Sequence, residues 1–216
     1  MQLSILIPLG PDEEFPAELV GSLAEMALSF EVIVCATNEF LNSGEIPKYV
    51  RFVKAEVLGR THQLNQLAAE ASGDWLWFVH ADTKISKKVL DSLTTMLRSN
   101  RSDCVAYFSL KFYGARHYLC TLNAIGANIR SRFARIPFGD QALLVPKTTF
   151  QNVGPYPSRF LSGEDHAWVQ KARRLGIPFI QLPATVETSA RKYMRNGWIN
   201  TTLKHIRLTI LQEWFG

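Results

Sequence analysis

Asp74-Trp75-Leu76-Trp77-Phe78-Val79-His80-Ala81-Asp82-Thr83 decides how this chain is read. An apolar run of strand length, with Gly73 ahead of it and polar residues behind, describes a fully buried strand. Such a strand hands His80, Asp82 and Thr83 to its carboxyl edge. Ligands of open α/β sheets sit beyond that edge, so Asp82 is a candidate to hold a metal and a phosphate. An equally simple local reading has Asp82 cap the next helix, with Thr83 or Ser86 sharing the task. The stretch alone leaves both open.

On the amino side of this strand the pattern alternates. Leu3 to Ile7, Glu31 to Cys35 and Val50 to Val53 are short apolar strands. Leu19, Leu23, Met26 and Ala27 fall at helical spacing, and so do Leu64, Leu67, Ala68 and Ala71 in a helix opened by Gly59-Arg60-Thr61. Strands alternating with helices predict a parallel, doubly wound sheet. No Gly-x-Gly-x-x-Gly or P-loop pattern accompanies it. On the carboxyl side the spacing predicts a helix over 87–100, a strand over 105–112, a helix over 119–133 and a turn at Phe138-Gly139-Asp140-Gln141 feeding a strand over 142–145. A helix over 167–175, stopped at Gly176, and two short strands, 179–182 and 185–188, follow. From Met194 onward the pattern is a long amphipathic helix. The length, 216 residues, suits one domain.

Composition narrows the partners without choosing one. The net charge of +5 favours anions: nucleotides, phosphorylated substrates, acidic lipids or nucleic acid. Nucleic acid is the weakest of these, because basic and aromatic residues do not interleave outside the last helix. Three widely spaced cysteines form neither a metal pair nor a disulfide framework, which suits a reducing compartment. The first residues lack the basic flank of a signal peptide, and no apolar run is long enough to span a bilayer. The expected location is cytoplasmic, with docking at the inner face of the membrane as an extension.

Six stretches, taken in order, resemble the family-2 glycosyltransferases of the GT-A fold. They are Leu3 to Pro8, Gly59-Arg60 through Asn65, Gly73 through Thr83, Phe138 through Gln141, Gly163-Glu164-Asp165, and Thr188-Ser189-Ala190-Arg191-Lys192. The nearest likeness is to the short, single-domain bacterial branch whose strand ends His-Ala-Asp-Thr. It implies one domain over 1–216: a nucleotide-sugar half over 1–100, an acceptor and catalytic half over 101–192, and the amphipathic helix over 193–216. It also implies a nucleotide-sugar donor, a divalent cation (Mn²⁺ or Mg²⁺), an acceptor hydroxyl on a lipid-linked carrier or a glycan, and inversion at the anomeric carbon.

Residue by residue, Asp82 stands where the last acid of the family's Asp-x-Asp motif would hold the metal against the diphosphate, and His80 stands at the first acid's place. The leaving diphosphate must have its charge neutralised, and imidazole suits Mn²⁺ better than Mg²⁺. A structural histidine at the sheet edge is the other reading of His80. Asp165 matches the general base, with Glu164 beside it in the catalytic pair; both would also be ordinary acids at a helix start. The resemblance places Pro8, Arg60, Asn65, Thr83, Asp140, Gln141, Arg191 and Lys192 around donor and acceptor. Asp140 and Gln141 would border the acceptor, though a turn residue bonding its own backbone explains Asp140 as well. Arg60 would grip a phosphate, and Arg191 and Lys192 would shield the diphosphate.

Two departures stand out. The second strand ends Cys35-Ala36-Thr37-Asn38-Glu39, without the acids the family places against the base or ribose. His166 follows the Glu-Asp pair where an apolar residue is common, either tuning Asp165 or facing solvent. In the last helix, Trp198, Ile199, Leu203, Ile206, Ile210, Leu211, Trp214 and Phe215 form an apolar face beside Arg195, Lys204, His205 and Arg207. That face suits a membrane surface, packing over the sheet, or a homodimer. A non-catalytic scaffold on the same fold and a nucleotidyltransferase are the competing functions. The latter would carry a cation in the first loop, which Pro8-Leu9-Gly10-Pro11 lacks.

Overall fold

The computed structural model describes residues 2–11, 13–26, 28–37, 47–99, 101–114, 118–158 and 163–191. The expected helix over 193–216, with Lys192, Glu39 and Ala27, lies outside the described residues.

In chain order the elements are β1 (Leu3–Pro8), α1 (Ala17–Leu23), β2 (Phe30–Ala36), β3 (Val50–Lys54), α2 (Arg60–Glu70), β4 (Trp75–Phe78), β5 (Thr83–Lys84) and α3 (Lys87–Arg98). They continue with β6 (Val105–Tyr113), α4 (Tyr118–Ile129), β7 (Leu144–Pro146), α5 (Lys147–Val153), α6 (Glu164–Arg174) and β8 (Phe179–Ser189). One sheet holds all eight strands in the order β3-β2-β1-β4-β7-β6-β8-β5. The block β3-β2-β1-β4 is parallel throughout. Antiparallel pairing at β4–β7, β7–β6 and β8–β5 interrupts the second half, while β6 and β8 run parallel.

Burial on both faces explains the continuous apolar strands. Leu3, Ile5 and Ile7 face one layer with Leu19 and Leu23 of α1 and Val89, Leu93 and Leu97 of α3. Leu6, Ile33, Leu76 and Phe78 face the other, against Leu64 and Leu67 of α2 and Trp168 and Val169 of α6. Parallel strands covered by helices on both sides have no solvent face to populate with polar residues. Connections from β1 run one way across the sheet, to β2 and β3, and then return to β4 on its other side. The β1–β4 boundary is therefore the switch point, where a crevice opens beyond the carboxyl ends.

Two expectations need correction, and one element is new. The segment 179–189 is one strand, not two, because Pro183 lies where the β6–β8 register shifts between Tyr107 and Ser109. There, among the described residues, β8 has no strand on its outer side, since β5 reaches only Thr188 and Glu187, and an open edge tolerates a residue without an N–H. The strand expected from Ala142 starts at Leu144, since Ala142 sits at φ 51°, outside strand geometry. A helix unforeseen in the sequence, α5, follows Pro146 directly and buries Thr149, Phe150 and Val153.

Candidate active site

At the carboxyl end of β4 the chain does not continue as a strand. Thr83 N–H donates back to the His80 carbonyl at 3.0 Å, closing a tight turn. Thr83 then pairs with Thr188 of β8, and Thr83 is buried. This turn holds Asp82 half-buried at the sheet's edge. Its Oδ1 accepts the Thr188 hydroxyl at 3.1 Å, and its carbonyl accepts the Tyr113 hydroxyl at 3.1 Å. Burial pushes the Asp82 carboxyl above the ordinary carboxylate range; the Thr188 hydrogen bond and the Arg191 and Arg60 charges oppose this, while Glu13 adds to it. Burial outweighs these groups, so the charged carboxylate is the disfavoured form here.

A cavity of about 480 Å³ opens beside Asp82, with Glu13, Glu18, Thr83, Lys84, Tyr113 and Arg191 in its wall. Arg191 reaches Glu13 at 3.2 Å, and Glu13 also accepts the Gly10 N–H at 2.9 Å. Glu13, Tyr113 and Thr188 were not foreseen as site residues. Thr188 lay inside the matched Thr-Ser-Ala-Arg stretch; Glu13 had no signal beyond its position in the loop after β1.

The second part of the site forms where α2, α6 and the turn before β7 meet. Gly59, at φ 119°, a conformation open to glycine, starts α2 and turns Arg60 toward α6. Arg60 Nε lies 2.9 Å from Glu164 Oε1, an ionic contact without hydrogen-bond alignment. Arg60 Nη2 contacts His80 Nε2. Arginine only donates, so this contact uses the Nε2 lone pair of His80. Asp165 Oδ2 accepts the Gly139 N–H at 2.5 Å, and Oδ1 accepts the His166 N–H at 2.8 Å. Gly139 marks the crossing: a Cβ there would stand 2.8 Å from Asp165 Oδ2, 3.2 Å from His80 Nε2 and 3.3 Å from Arg60 Nη2.

The structure thus gathers Asp165, Glu164, Arg60 and His80 at one strand end, two residues from Asp82. Asp165 is half-buried, outside the wall of the Asp82 cavity. Arg60 lies between the two acids, close enough for its charge to act on Asp82.

Other expectations change. Glu164, expected as a catalytic partner, is buried, with its Oε1 2.9 Å from Arg60 Nε. His80, expected as a metal ligand, presents Nε2 to a guanidinium, and a cation at that nitrogen would have to displace Arg60. Gln141, expected at the acceptor, is wholly buried. Its amide nitrogen reaches Phe108 O and Ser131 Oγ, both at 3.0 Å, and its oxygen accepts Phe138 N–H at 3.3 Å. Asn65 brackets the Tyr156 backbone, donating to its carbonyl at 2.9 Å and accepting its N–H at 2.8 Å. Asn65 thereby ties down the loop ahead of α6. His166, expected either to tune Asp165 or to face solvent, does not face solvent, and its backbone N–H donates to Asp165 Oδ1. It is buried, edge-on to Phe138, with Gln170 Nε2 3.2 Å from its Nε2. Pro8 ends β1, buried opposite Cys35. Asp140 is half-buried in the turn beside Gly139.

Could this set hold a divalent cation? Among the described residues no three His, Cys, Asp or Glu side chains cluster as a metal cage. Mg²⁺ and Mn²⁺ bound with a nucleotide need less: one or two carboxylates, with phosphates and waters completing the shell. Asp82 fits that role. At the end of β2, Cys35 and Ala36 give their carbonyls to Leu9, Gln63 and Ala55. Burial holds the Cys35 thiol up at about 11, with Glu56 adding to the shift. The residues that end the strand, Cys35, Ala36 and Thr37, carry no carboxylate themselves; Glu56, beyond β3, is the acid near them.

Known proteins share this architecture. S. aureus TarS superposes with a TM-score of 0.65 at 20% identity, over 89% of this chain and 37% of TarS. TarS 1-349 in complex with UDP-GlcNAc gives 0.65 at 18% identity, over 88% of this chain and 58% of that one. Mannosyltransferase PcManGT from Pyrobaculum calidifontis, in complex with GDP-Man and Mn²⁺, gives 0.62 at 13% identity, over 86% and 56%. The chain therefore has the GT-A type of glycosyltransferase fold and spans well under two thirds of these proteins. No family model and no curated relative matches the sequence.

Proposed function

We propose that this chain is an inverting glycosyltransferase using a nucleotide-diphosphate sugar. The observation that carries the reading is the convergence on Gly139: Asp165, on α6, is held at the same strand end that presents Asp82. In this reading the acceptor hydroxyl gives its proton to the Asp165 carboxylate as its oxygen attacks the anomeric carbon. The bond from that carbon to the diphosphate oxygen breaks on the opposite side, which inverts the configuration. The nucleoside diphosphate leaves with the electron pair. Gly139 N–H and His166 N–H fix the carboxylate plane, and Arg60 and Glu164 hold α2 against α6 around it. Asp82 would hold a divalent cation, Mn²⁺ by analogy with PcManGT, which supplies charge neutralisation to the diphosphate. Arg191, freed from Glu13, is placed to do the same, and Lys192 is its sequence neighbour.

A second reading, a scaffold with the fold but no donor, draws on the missing acids at Cys35-Ala36-Thr37. Both are tested by incubating the protein with UDP-, GDP- and dTDP-sugars and Mn²⁺, and following nucleotide binding and release. Transfer predicts saturable binding by at least one nucleotide, with Asp165→Asn binding equally and releasing far less product. Absence of binding across the panel supports the scaffold.

A further inference from the structure

Outside the site, the molecule's most unusual surface is on α4. Its inward face is Cys120, Ala124 and Asn128, continued by Ser131. Asn128 clamps the Leu110 backbone of β6, accepting its N–H at 2.8 Å and donating to its carbonyl at 2.9 Å. The opposite face carries Leu122, Ile125 and Ile129, exposed by 52, 49 and 53%, and Phe133, exposed by 78%, follows in the π-helical turn Arg130–Ala134 that continues α4. Spacings of three and four residues align the first three in one stripe, which Phe133 extends. Four large apolar side chains in a row, each half or more in water, are not scattered surface residues but a patch, and patches of this kind mark interaction sites.

Charge identifies the occupant. No acidic residue occurs between Asp103 and Asp140, whereas Arg130, Arg132 and Arg135 follow the stripe. Arg132 and Arg135 are exposed, and the Arg132 guanidinium lies 5.9 Å from the Phe133 ring centroid. A second copy of this face would set arginines against arginines. The basic sequence from Met194 onward, with Arg195, Lys204 and Arg207 against Glu213, would do the same. An apolar stripe with an arginine edge instead matches the headgroup–acyl boundary of an anionic bilayer, where the apolar chains insert and guanidinium groups reach phosphate.

We infer that α4 docks this protein on an anionic lipid surface through Leu122, Ile125, Ile129 and Phe133. The helix is tied to the site. Arg130 stacks on Phe138 with its guanidinium 3.5 Å from the ring centroid, and Gly139, next in sequence, holds Asp165. Docking through α4 brings the Asp165 side of the site to the bilayer, so on the glycosyl-transfer reading the acceptor hydroxyl belongs to a membrane lipid. That last step rests on the proposed function; docking itself does not.

Co-sedimentation of the full chain with vesicles tests it, using phosphatidylcholine alone and phosphatidylcholine doped with phosphatidylglycerol. The wild type should pellet with the doped vesicles and release as salt rises. Ile129→Ser with Phe133→Ser should lower partitioning about tenfold or more, as lost apolar burial requires, and Arg132→Glu with Arg135→Glu should abolish the preference for phosphatidylglycerol. These positions are exposed, so thermal melts and nucleotide binding should not change, which separates failure of docking from failure of the enzyme reading. Equal pelleting by wild type and both variants overturns the proposal. So does pelleting lost only on Trp198→Ser with Trp214→Ser, or a lipid-free dimer that Phe133→Ser disperses.

Discussion

The two ends of the same parallel strands carry similar residues and treat them in opposite ways. At the amino ends, Glu31 of β2 accepts the Ser4 hydroxyl at 2.6 Å and both the N–H and the hydroxyl of Ser72 at 2.7 Å, with Arg51 3.9 Å away. Burial alone would raise its carboxyl, but these donors hold it below its ordinary 4.5. At the carboxyl ends, Asp82 receives one side-chain hydrogen bond, and burial lifts it above its ordinary 3.8. One acid closes the fold. The other stays raised because burial outweighs the Thr188 hydrogen bond and the Arg191 and Arg60 charges that the described residues supply, a perturbation of the kind that clusters at functional sites.

Glycines repeat the contrast. A Cβ at Gly73 would stand 2.7 to 2.8 Å from Ser4 Oγ, Gln2 O and Ser4 N, which is largely backbone. A Cβ at Gly139 would meet only side-chain tips, those of Asp165, His80 and Arg60. The largest effects should come from the carboxyl end and should appear in activity. Asp165→Asn should lower turnover by about 10²–10⁴-fold, the usual worth of a general base, with donor binding and melting temperature retained. Gly139→Ala should lower turnover by about a hundredfold by displacing Asp165, while urea melts change little. Equal loss of stability at Gly139 and Gly73 would break the comparison.

At the amino end the effects should appear in stability. Gly73→Ala should cost about 3 kcal/mol, the upper range for overpacking against atoms that cannot move. Glu31→Ala should cost about 2 kcal/mol by orphaning the Ser4 and Ser72 donors. The smallest effects have opposite signs. At neutral pH, Glu31→Gln should melt lower and Asp82→Asn slightly higher than wild type. A depressed carboxyl contributes stability above its unfolded pKa, and that contribution disappears as pH falls through the folded value. A raised carboxyl contributes only below its unfolded pKa, and that contribution is lost as pH rises through the folded value. The Asp82 difference should therefore close as pH falls from 7 toward its ordinary 3.8, whereas the Glu31 difference should persist down to its ordinary 4.5 and close only below it, in melts followed from pH 7 into the acid range.

What the sequence disclosed was local in origin. The apolar run ending at His80-Ala81-Asp82, the strand of Leu3 to Ile7 and the helical spacing of Leu64, Leu67 and Ala68 each report burial of their own element, so the parallel half of the sheet was legible. The places of Asp82 beyond β4 and of Asp165 at the start of α6 were legible because each lies in a short motif at an element's end. What stayed hidden depends on contacts across the chain. Asn65 and Tyr156 are 91 residues apart, and nothing beside either one announces the bracket. Gln141 reads as a polar turn residue, but its turn faces inward onto Phe108 and Ser131. Glu164 and Asp165 are neighbours in one helical turn, and only the fold shows that Glu164 is buried against Arg60 while Asp165 is half-buried. Pro183 looked like a strand break because the sequence does not say that its strand has an open edge there.

The central claim is that Asp82 at the switch point anchors a nucleotide diphosphate with a divalent cation. Isothermal titration of the full chain with UDP and GDP, each with and without Mn²⁺, tests it most directly beside Asp82→Asn. The account predicts saturable, Mn²⁺-dependent binding of at least one nucleotide, absent in Asp82→Asn although that variant melts no lower than wild type. Binding of the same strength in both proteins would contradict it.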